Sequence, residues 1–430
     1  MFWNRKKKKT PTETSSTEAS KKTQKTLPLA FLKRLIPIGR LADADLLKLR
    51  ATLSHYKPGN IIFSQSESSE SLTYIIKGQC FLETNTGSGY EIDAATFKSC
   101  YPLSSHTHNL CTAIAKTDVS VIHFPQETLH HSSSTDIRNP LLNIEDIPES
   151  LADNVFFNTF CQHFKQQKLF IPSLPDVALK LRLAVQKNIG VIEAVKIINL
   201  DPVISSKLIQ IVNSPLYRGI NPISNCHDAV TRLGLSTTKN LVTSISLQNL
   251  FKSHNKELNQ ITLMLWKQSI QVSSISHTLA LLTKKTNPDE ALLAGLVHNI
   301  GAIPVIIFAD SLENQSYSIQ DINQSIHALQ GLLGNFILEK WGFPELLKEI
   351  PRQSENWYHS NGNTLDLSDI VLLAKFHSYI GTKKMLTLPP IHTLPAFQKL
   401  GENALTPDMS LQTLHDAKQQ IQEAISLFKS

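Results

Sequence analysis

The sequence predicts a multidomain α+β chain in which an N-terminal β-roll precedes an all-α helical domain. Three observations carry that expectation. At 430 residues the chain is too long for one ordinary core, and 41% hydrophobic content is enough to bury two or three. Residues 57 to 125 are rich in Ile, Val, Phe and Thr and punctuated by Pro58-Gly59, Gly78, Gly87-Ser88-Gly89 and Pro102, as short strands are. Helix-start and helix-stop signals then recur through most of the remaining chain.

Residues 1–28 form a tail. Arg5, Lys6, Lys7, Lys8, Lys9, Lys21, Lys22 and Lys25 face only Glu13 and Glu18 there, so the entire formal charge of +6 sits in this stretch and the remainder is neutral. Nucleic-acid-binding domains carry their charge on a folded face, so DNA or RNA binding by the folded domains is not expected. The default for such a Thr/Ser/Lys run is a solvated, disordered tail. Met1-Phe2-Trp3 ahead of the basic cluster offers an alternative, peripheral contact of residues 1–9 with an anionic membrane surface. No secretory signal is expected, because no apolar stretch follows the basic start, and nothing in the sequence approaches the length of a membrane-spanning helix. Cys80, Cys100, Cys111, Cys161 and Cys226 are scattered, odd in number and never paired as Cys-x-x-Cys. That pattern fits a reducing cytosol rather than a disulfide framework or a structural zinc site.

The first domain is expected over residues 29–135. Two short helices between Pro28 and Leu53 open it, the second with acid at its start in Ala42-Asp43-Ala44-Asp45. Strands follow to Pro125, and the polar stretch from His130 to Pro140 marks the boundary. The words Lys57-Pro58-Gly59-Asn60-Ile61-Ile62-Phe63, Ser71-Leu72-Thr73-Tyr74-Ile75-Ile76-Lys77-Gly78 and Val119-Ser120-Val121-Ile122-His123-Phe124-Pro125 resemble the cyclic nucleotide-binding domain family. In that family a Gly-Glu pair and an arginine hold the ligand phosphate. Residues 97–110 contain neither, and no arginine occurs between Arg50 and Arg138. Lys98 and Lys116 are point charges without the guanidinium fork. The resemblance therefore implies a degenerate β-roll, with a nucleotide sensor as the alternative. His106-x-His108 lacks a third ligand in any clear pattern and reads as a polar loop.

A linker helix is expected over 136–168 and the helical domain over 169–380. Ile189 to Leu200 reads as an apolar helix, and Asp201-Pro202 starts the next with an N-cap and a proline at the first helical position. Asn213-Ser214-Pro215 ends it, asparagine tolerating a left-handed turn and proline barring extension, with Tyr217 and Arg218 beyond as a candidate partner surface. Gly234 closes one helix and Ser236 caps another running to about Phe251. The run Leu292-Leu293-Ala294-Gly295-Leu296-Val297-His298-Asn299-Ile300-Gly301 sets His298 beside Asn299 on an apolar helix. An adjacent His-Asp in such a place can hold a catalytic metal, but asparagine supplies a dipole without a charge. Residues 381–430 read as an extension whose Leu411, Leu414, Ile421, Ala424, Ile425 and Phe428 form a helical stripe, buried on the helical domain or used for self-association.

Across residues 169 to 380 the words Ile171-Pro172-Ser173-Leu174-Pro175, Asp201-Pro202-Val203-Ile204, Val212-Asn213-Ser214-Pro215, Ala229-Val230-Thr231-Arg232-Leu233-Gly234, Leu265-Trp266-Lys267-Gln268-Ser269 and Leu338-Glu339-Lys340-Trp341-Gly342-Phe343-Pro344 closely resemble the HDOD family. The resemblance implies an all-helical fold related to metal-dependent HD phosphohydrolases, found in bacterial signalling proteins and acting without catalysis. The related enzymes place a metal between a first histidine, the His-Asp pair and further His or Asp residues. The matched positions here are Gln268, His298-Asn299, Gln330 and, near paired histidines, Gln353-Ser354. One histidine does not hold a divalent metal against water. His277, nine residues beyond Gln268, falls on the opposite helix face, whereas His327 lies one turn before Gln330 on nearly the same face. These readings imply a cytoplasmic pseudoenzyme without metal or cofactor that binds unidentified signalling proteins. The alternative is a phosphohydrolase with a site relocated onto His298 and His327.

Overall fold

The computed structural model describes residues 23–25, 27–84, 89–105, 108–125, 149–166, 171–214, 217, 219–312 and 317–400. The basic run at 5–9, His106, Arg218 and the stripe beyond Leu400 lie outside the described residues. The chain divides into two compact units, residues 1–132 and 133–430.

The first unit contains β1 (Thr23–Lys25), α1 (Leu29–Leu32), α2 (Asp43–Leu46), β2 (Ala51–Tyr56), β3 (Ile61–Phe63), β4 (Ser71–Lys77), β5 (Gln79–Glu83), β6 (Gly89–Asp93), β7 (Thr112–Ala115) and β8 (Val119–Pro125). They form two four-stranded sheets of order β1-β2-β8-β4 and β3-β7-β5-β6, with antiparallel pairings throughout. Alternation along β4 and β8 divides the core. Ile75, Val119 and Val121 join Cys80, Leu82, Ile92 and Ala113. Leu72, Tyr74, Ile122 and Phe124 pack under Leu32, Leu35, Ile38 and Leu46 from the helical lead-in. The Tyr74 hydroxyl donates to the Ile36 carbonyl at 3.1 Å, fixing that lead-in. Helix was expected to run to Leu53, but β2 begins at Ala51. Its ladder to Val119–Pro125 satisfies backbone groups that another helical turn would otherwise have to satisfy.

The helical unit opens with α3 (Glu149–Ala152) and α4 (Val155–Lys165). Phe156, Phe157 and Phe160 of α4 lie in a common core with Ile261, Val305, Ile326 and Leu333, so residues expected in a linker contribute core side chains. Next come α5 (Asp176–Gln186), α6 (Val191–Ile198), α7 (Pro202–Val212) and α8 (Cys226–Leu247), sharing a second core. Asp201 caps α7, its carboxylate accepting from the Val203 and Ile204 amides. Asn213 ends α7 in a right-handed conformation rather than a left-handed turn. Its side chain pairs with the Ile223 amide (2.8 Å) and carbonyl (2.7 Å), clamping the loop where sequence reasoning saw only a stop. Gly234, with φ 77°, breaks α8 where a closing glycine was expected.

Then α9 (Lys256–Thr283), 28 residues long, packs against α10 (Pro288–Val297) and α15 (Leu367–Ser378). Between them lie α11 (Ala302–Asp310), α12 (Ile319–Lys340), α13 (Glu345–Lys348) and α14 (Ile350–Gln353), and α16 (Pro395–Gln398) follows. Leu388, Leu394, Ala396 and Leu400 carry the same core past residue 380. The Trp341 indole donates to Pro172 (3.0 Å) and the Arg182 guanidinium lies 3.8 Å from the Phe343 ring centre, so the Trp-Gly-Phe-Pro word locks α12 to α5. Pro288–Asp310 is 23 residues long with mean hydropathy 2.0, which corrects the expectation that nothing approaches a membrane span. Of its most apolar 18-residue window 89% is buried within this unit, and the stretch comprises α10, α11 and the turn between them.

Candidate functional site: a buried polar cluster

Gln268 lies on α9, His298 and Asn299 in the turn between α10 and α11, and His327 and Gln330 on α12. Close backbone approach brings them into one region. A Cβ added at Gly301 would sit 1.9 Å from the Gln330 carbonyl oxygen, so only glycine lets the turn after Asn299 touch α12 here.

Asn299, 2% exposed, uses both ends of its amide. Its Oδ1 accepts from the Ser269 hydroxyl (2.7 Å) and its Nδ2 donates to the Leu265 carbonyl (3.0 Å). An ionised aspartate has no donor for that second bond, so the amide is matched to its place. Gln268 is likewise committed, donating to the Tyr379 hydroxyl at 2.6 Å.

His298, 1% exposed, bonds through Nδ1 to the Gly295 carbonyl at 2.7 Å. A carbonyl only accepts, so Nδ1 carries the proton and Nε2 is left as a bare lone pair, buried and without a hydrogen-bond partner. Burial, with a smaller contribution from the Lys375 charge, pushes its pKa down to about 4, so the ring is neutral at physiological pH.

Two residues that sequence reasoning missed dominate the cluster. Glu355 follows α14, and its Oε1 accepts from the Lys375 ammonium of α15 at 2.5 Å and from the Gln330 amide at 3.0 Å. Lys375, 5% exposed, also donates to the Ser354 carbonyl at 3.0 Å, so the expected Gln353-Ser354 position supplies a backbone acceptor rather than a side-chain ligand. Burial works to raise the Glu355 carboxyl. The Lys375 ammonium, helped by His327 and His298, holds it below its ordinary value. Both residues left a signal in the sequence: Lys375 is the one cation in the apolar run Ile370-Val371-Leu372-Leu373-Ala374-Lys375-Phe376, and Glu355 is the first acid after the expected histidine position.

The chemistry of this set does not suit a divalent metal. Its carboxylate is bound to an ammonium, its three amides at Gln268, Asn299 and Gln330 are spent on protein partners, and one buried imidazole lone pair, that of His298, remains. Among the described residues, no group of three His, Cys, Asp or Glu side chains is placed to hold a metal ion. His277 is elsewhere, its ring 6.4 Å from that of Tyr217. The Tyr217 hydroxyl donates to Asp289 at 2.9 Å and is half-buried. In the β unit, Lys98 lies over the Tyr90 ring and Lys116 pairs with Glu91 at 3.0 Å.

Comparison with known proteins places these features. Residues 171–357 match the HDOD domain family. A protein from Shewanella amazonensis, provisionally named a metal-dependent phosphohydrolase, is 27% identical with a TM-score of 0.54, over 62% of this chain and 97% of its own. A protein from Geobacter metallireducens, provisionally named cyclic nucleotide-binding, matches 26% of this chain and 84% of its own at 17% identity and a TM-score of 0.21. An uncharacterized protein from Treponema pallidum is 24% identical over 208 residues, which are 44% of this chain and 38% of that relative's length. Two antiparallel sheets thus precede a helical unit, and that helical unit carries an HDOD domain at residues 171–357.

Proposed function

We propose that this chain is a non-catalytic signalling or scaffold protein that acts by protein–protein binding through its HDOD domain. The observation that carries the reading is the Lys375–Glu355 ion pair at 2.5 Å, set where the helices converge on His298 and Gln330. A hydrolase using this site needs a metal to lower the pKa of water, and an ammonium does not do that. What remains is a rigid helical framework with apolar side chains at its surface, including Ile192 (67% exposed), Val203 (60%) and Ile220. Tyr217, anchored to Asp289, and Arg218, the next residue in the sequence, are proposed to meet a partner.

The test is the metal content of natively purified protein by plasma mass spectrometry, with phosphodiesterase and phosphatase assays in manganese, iron and zinc. Metal-free protein without turnover is expected. Stoichiometric metal together with a turnover that His298→Ala abolishes would overturn the reading in favour of a relocated phosphohydrolase site.

A further inference from the structure

We propose that Lys375 is the resident cation of the helical unit: its tethered ammonium occupies a built cation site, and removing the side chain leaves a site that takes a free primary alkylammonium. The inference deepens the non-catalytic reading and rests on the same cluster, but not on protein binding.

The ammonium is enclosed on several sides. Its Nζ donates to the Glu355 carboxylate (2.5 Å) and the Ser354 carbonyl (3.0 Å), and it stands 5.8 Å from the centre of the Trp357 ring. A carboxylate, a carbonyl and an aromatic face are a set of partners suited to a compact cation with several N–H donors. All twelve residues of α15 from Leu367 to Ser378 are buried, so the lysine stem is held in apolar packing along its length. Glu355 also accepts from the Gln330 amide at 3.0 Å, a second bond that does not depend on the lysine.

The pair also explains how the unit tolerates these charges. A buried carboxylate without a counter-charge is strongly unfavourable, and an exogenous ion would have to be bound to supply one. A covalently attached ammonium supplies it at a high effective concentration that does not depend on the surrounding solution. His298, whose Nε2 has no hydrogen-bond partner, feels both charges of the pair, Lys375 disfavouring and Glu355 favouring its protonation.

The experiment is thermal unfolding of full-length Lys375→Ala in n-propylammonium chloride, which matches the three carbons and the nitrogen removed, beside equal potassium chloride and equal n-propanol. Lys375→Ala alone should unfold well below wild type. At ten times its dissociation constant, n-propylammonium should raise that Tm by about 3 °C, with no effect on wild type or on Lys375→Ala/Glu355→Gln. Equal rescue by n-propanol, rescue persisting without Glu355, or no rescue would overturn the inference. If Lys375→Ala does not fold, Lys375→Met/Glu355→Gln decides, since it keeps the shape and removes both charges. A double variant more stable than Lys375→Met alone supports a charge role, and one no better than Lys375→Met overturns it. Wild type that proves metal-loaded and loses Tm in chelator would sink the non-catalytic reading too, whereas failed rescue in metal-free protein removes only this inference.

Discussion

The two units bury different kinds of polar group. Among the described residues of the β unit the buried polar side chains are Ser54, Thr73, Ser104, Ser105, Asn109 and Ser120, all neutral, and ion pairs such as Lys57–Asp118 lie at the surface. The helical unit buries Arg182, His277, His298, Asp369, Lys375, His377 and His392. Neutral hydroxyls and amides are satisfied by ordinary hydrogen bonds, whereas charges demand a dedicated partner and histidines must stay neutral. The difference teaches that the described interior of the β unit is held by packing and neutral hydrogen bonds, while the helical unit keeps an electrostatic centre.

The strongest way to break that comparison is Lys375→Met, which leaves Glu355 buried without its partner. The helical unit should lose about 3–5 kcal/mol, against little change in the β unit. Urea unfolding followed by tryptophan fluorescence reads this selectively, because Trp266, Trp341 and Trp357 all lie in the helical unit and the fourth, Trp3, is in the tail. Acid comes next. His298 has a folded pKa of about 4 against an ordinary 6.5, so the unfolded chain binds the extra proton first. Its contribution, on the order of 3 kcal/mol, is complete above pH 6.5 and is lost as pH falls toward 4. Asp369, pushed up to about 6 by burial against the pull of Lys399, titrates with the opposite sign. The measurement is therefore the difference between wild type and His298→Gln, whose stability should fall less steeply over that window.

A packing test follows. Gly301→Ala forces a methyl onto the Gln330 carbonyl and should cost about 1–3 kcal/mol or more, with the loss again confined to the tryptophan signal. The smallest effect belongs to the β unit. Lys57 and Asp118 have side chains 80% and 65% exposed, and Lys57→Gln should leave the midpoint of a urea titration read by circular dichroism essentially unchanged. A larger loss there would erase the contrast between the units.

Much of this architecture was legible because it rests on local signals. The turn residues Pro58-Gly59 and Gly78 mark the strands, Asp201-Pro202 marks a helix start, and Gly234 marks a break, each through its own backbone requirement. What was not legible depends on partners distant in sequence. Ala51–Tyr56 becomes a strand because Val119–Pro125 lies beside it. The phenylalanines of α4 are core because Phe308 and Ile326 wait for them. The site divides in the same way: Gln268, Asn299 and Gln330 were found by position, but what their amides bond to was not. Lys375 was visible as a lone cation in an apolar run, yet its carboxylate lies twenty residues away at Glu355 and only the fold joins them.

The Lys375–Glu355 pair also constrains how this lineage can change. A single substitution at either residue strands the other charge in the interior, so each step passes through a destabilised intermediate. Replacing Asn299 by aspartate meanwhile removes the donor to Leu265 and adds a second anion to the cluster. A metal site at this cluster would therefore need several coordinated changes before any one of them is useful. The ion pair works as a ratchet: while the chain supplies its own cation, substitution at the surface is cheap and conversion of this cluster to a metal site is not.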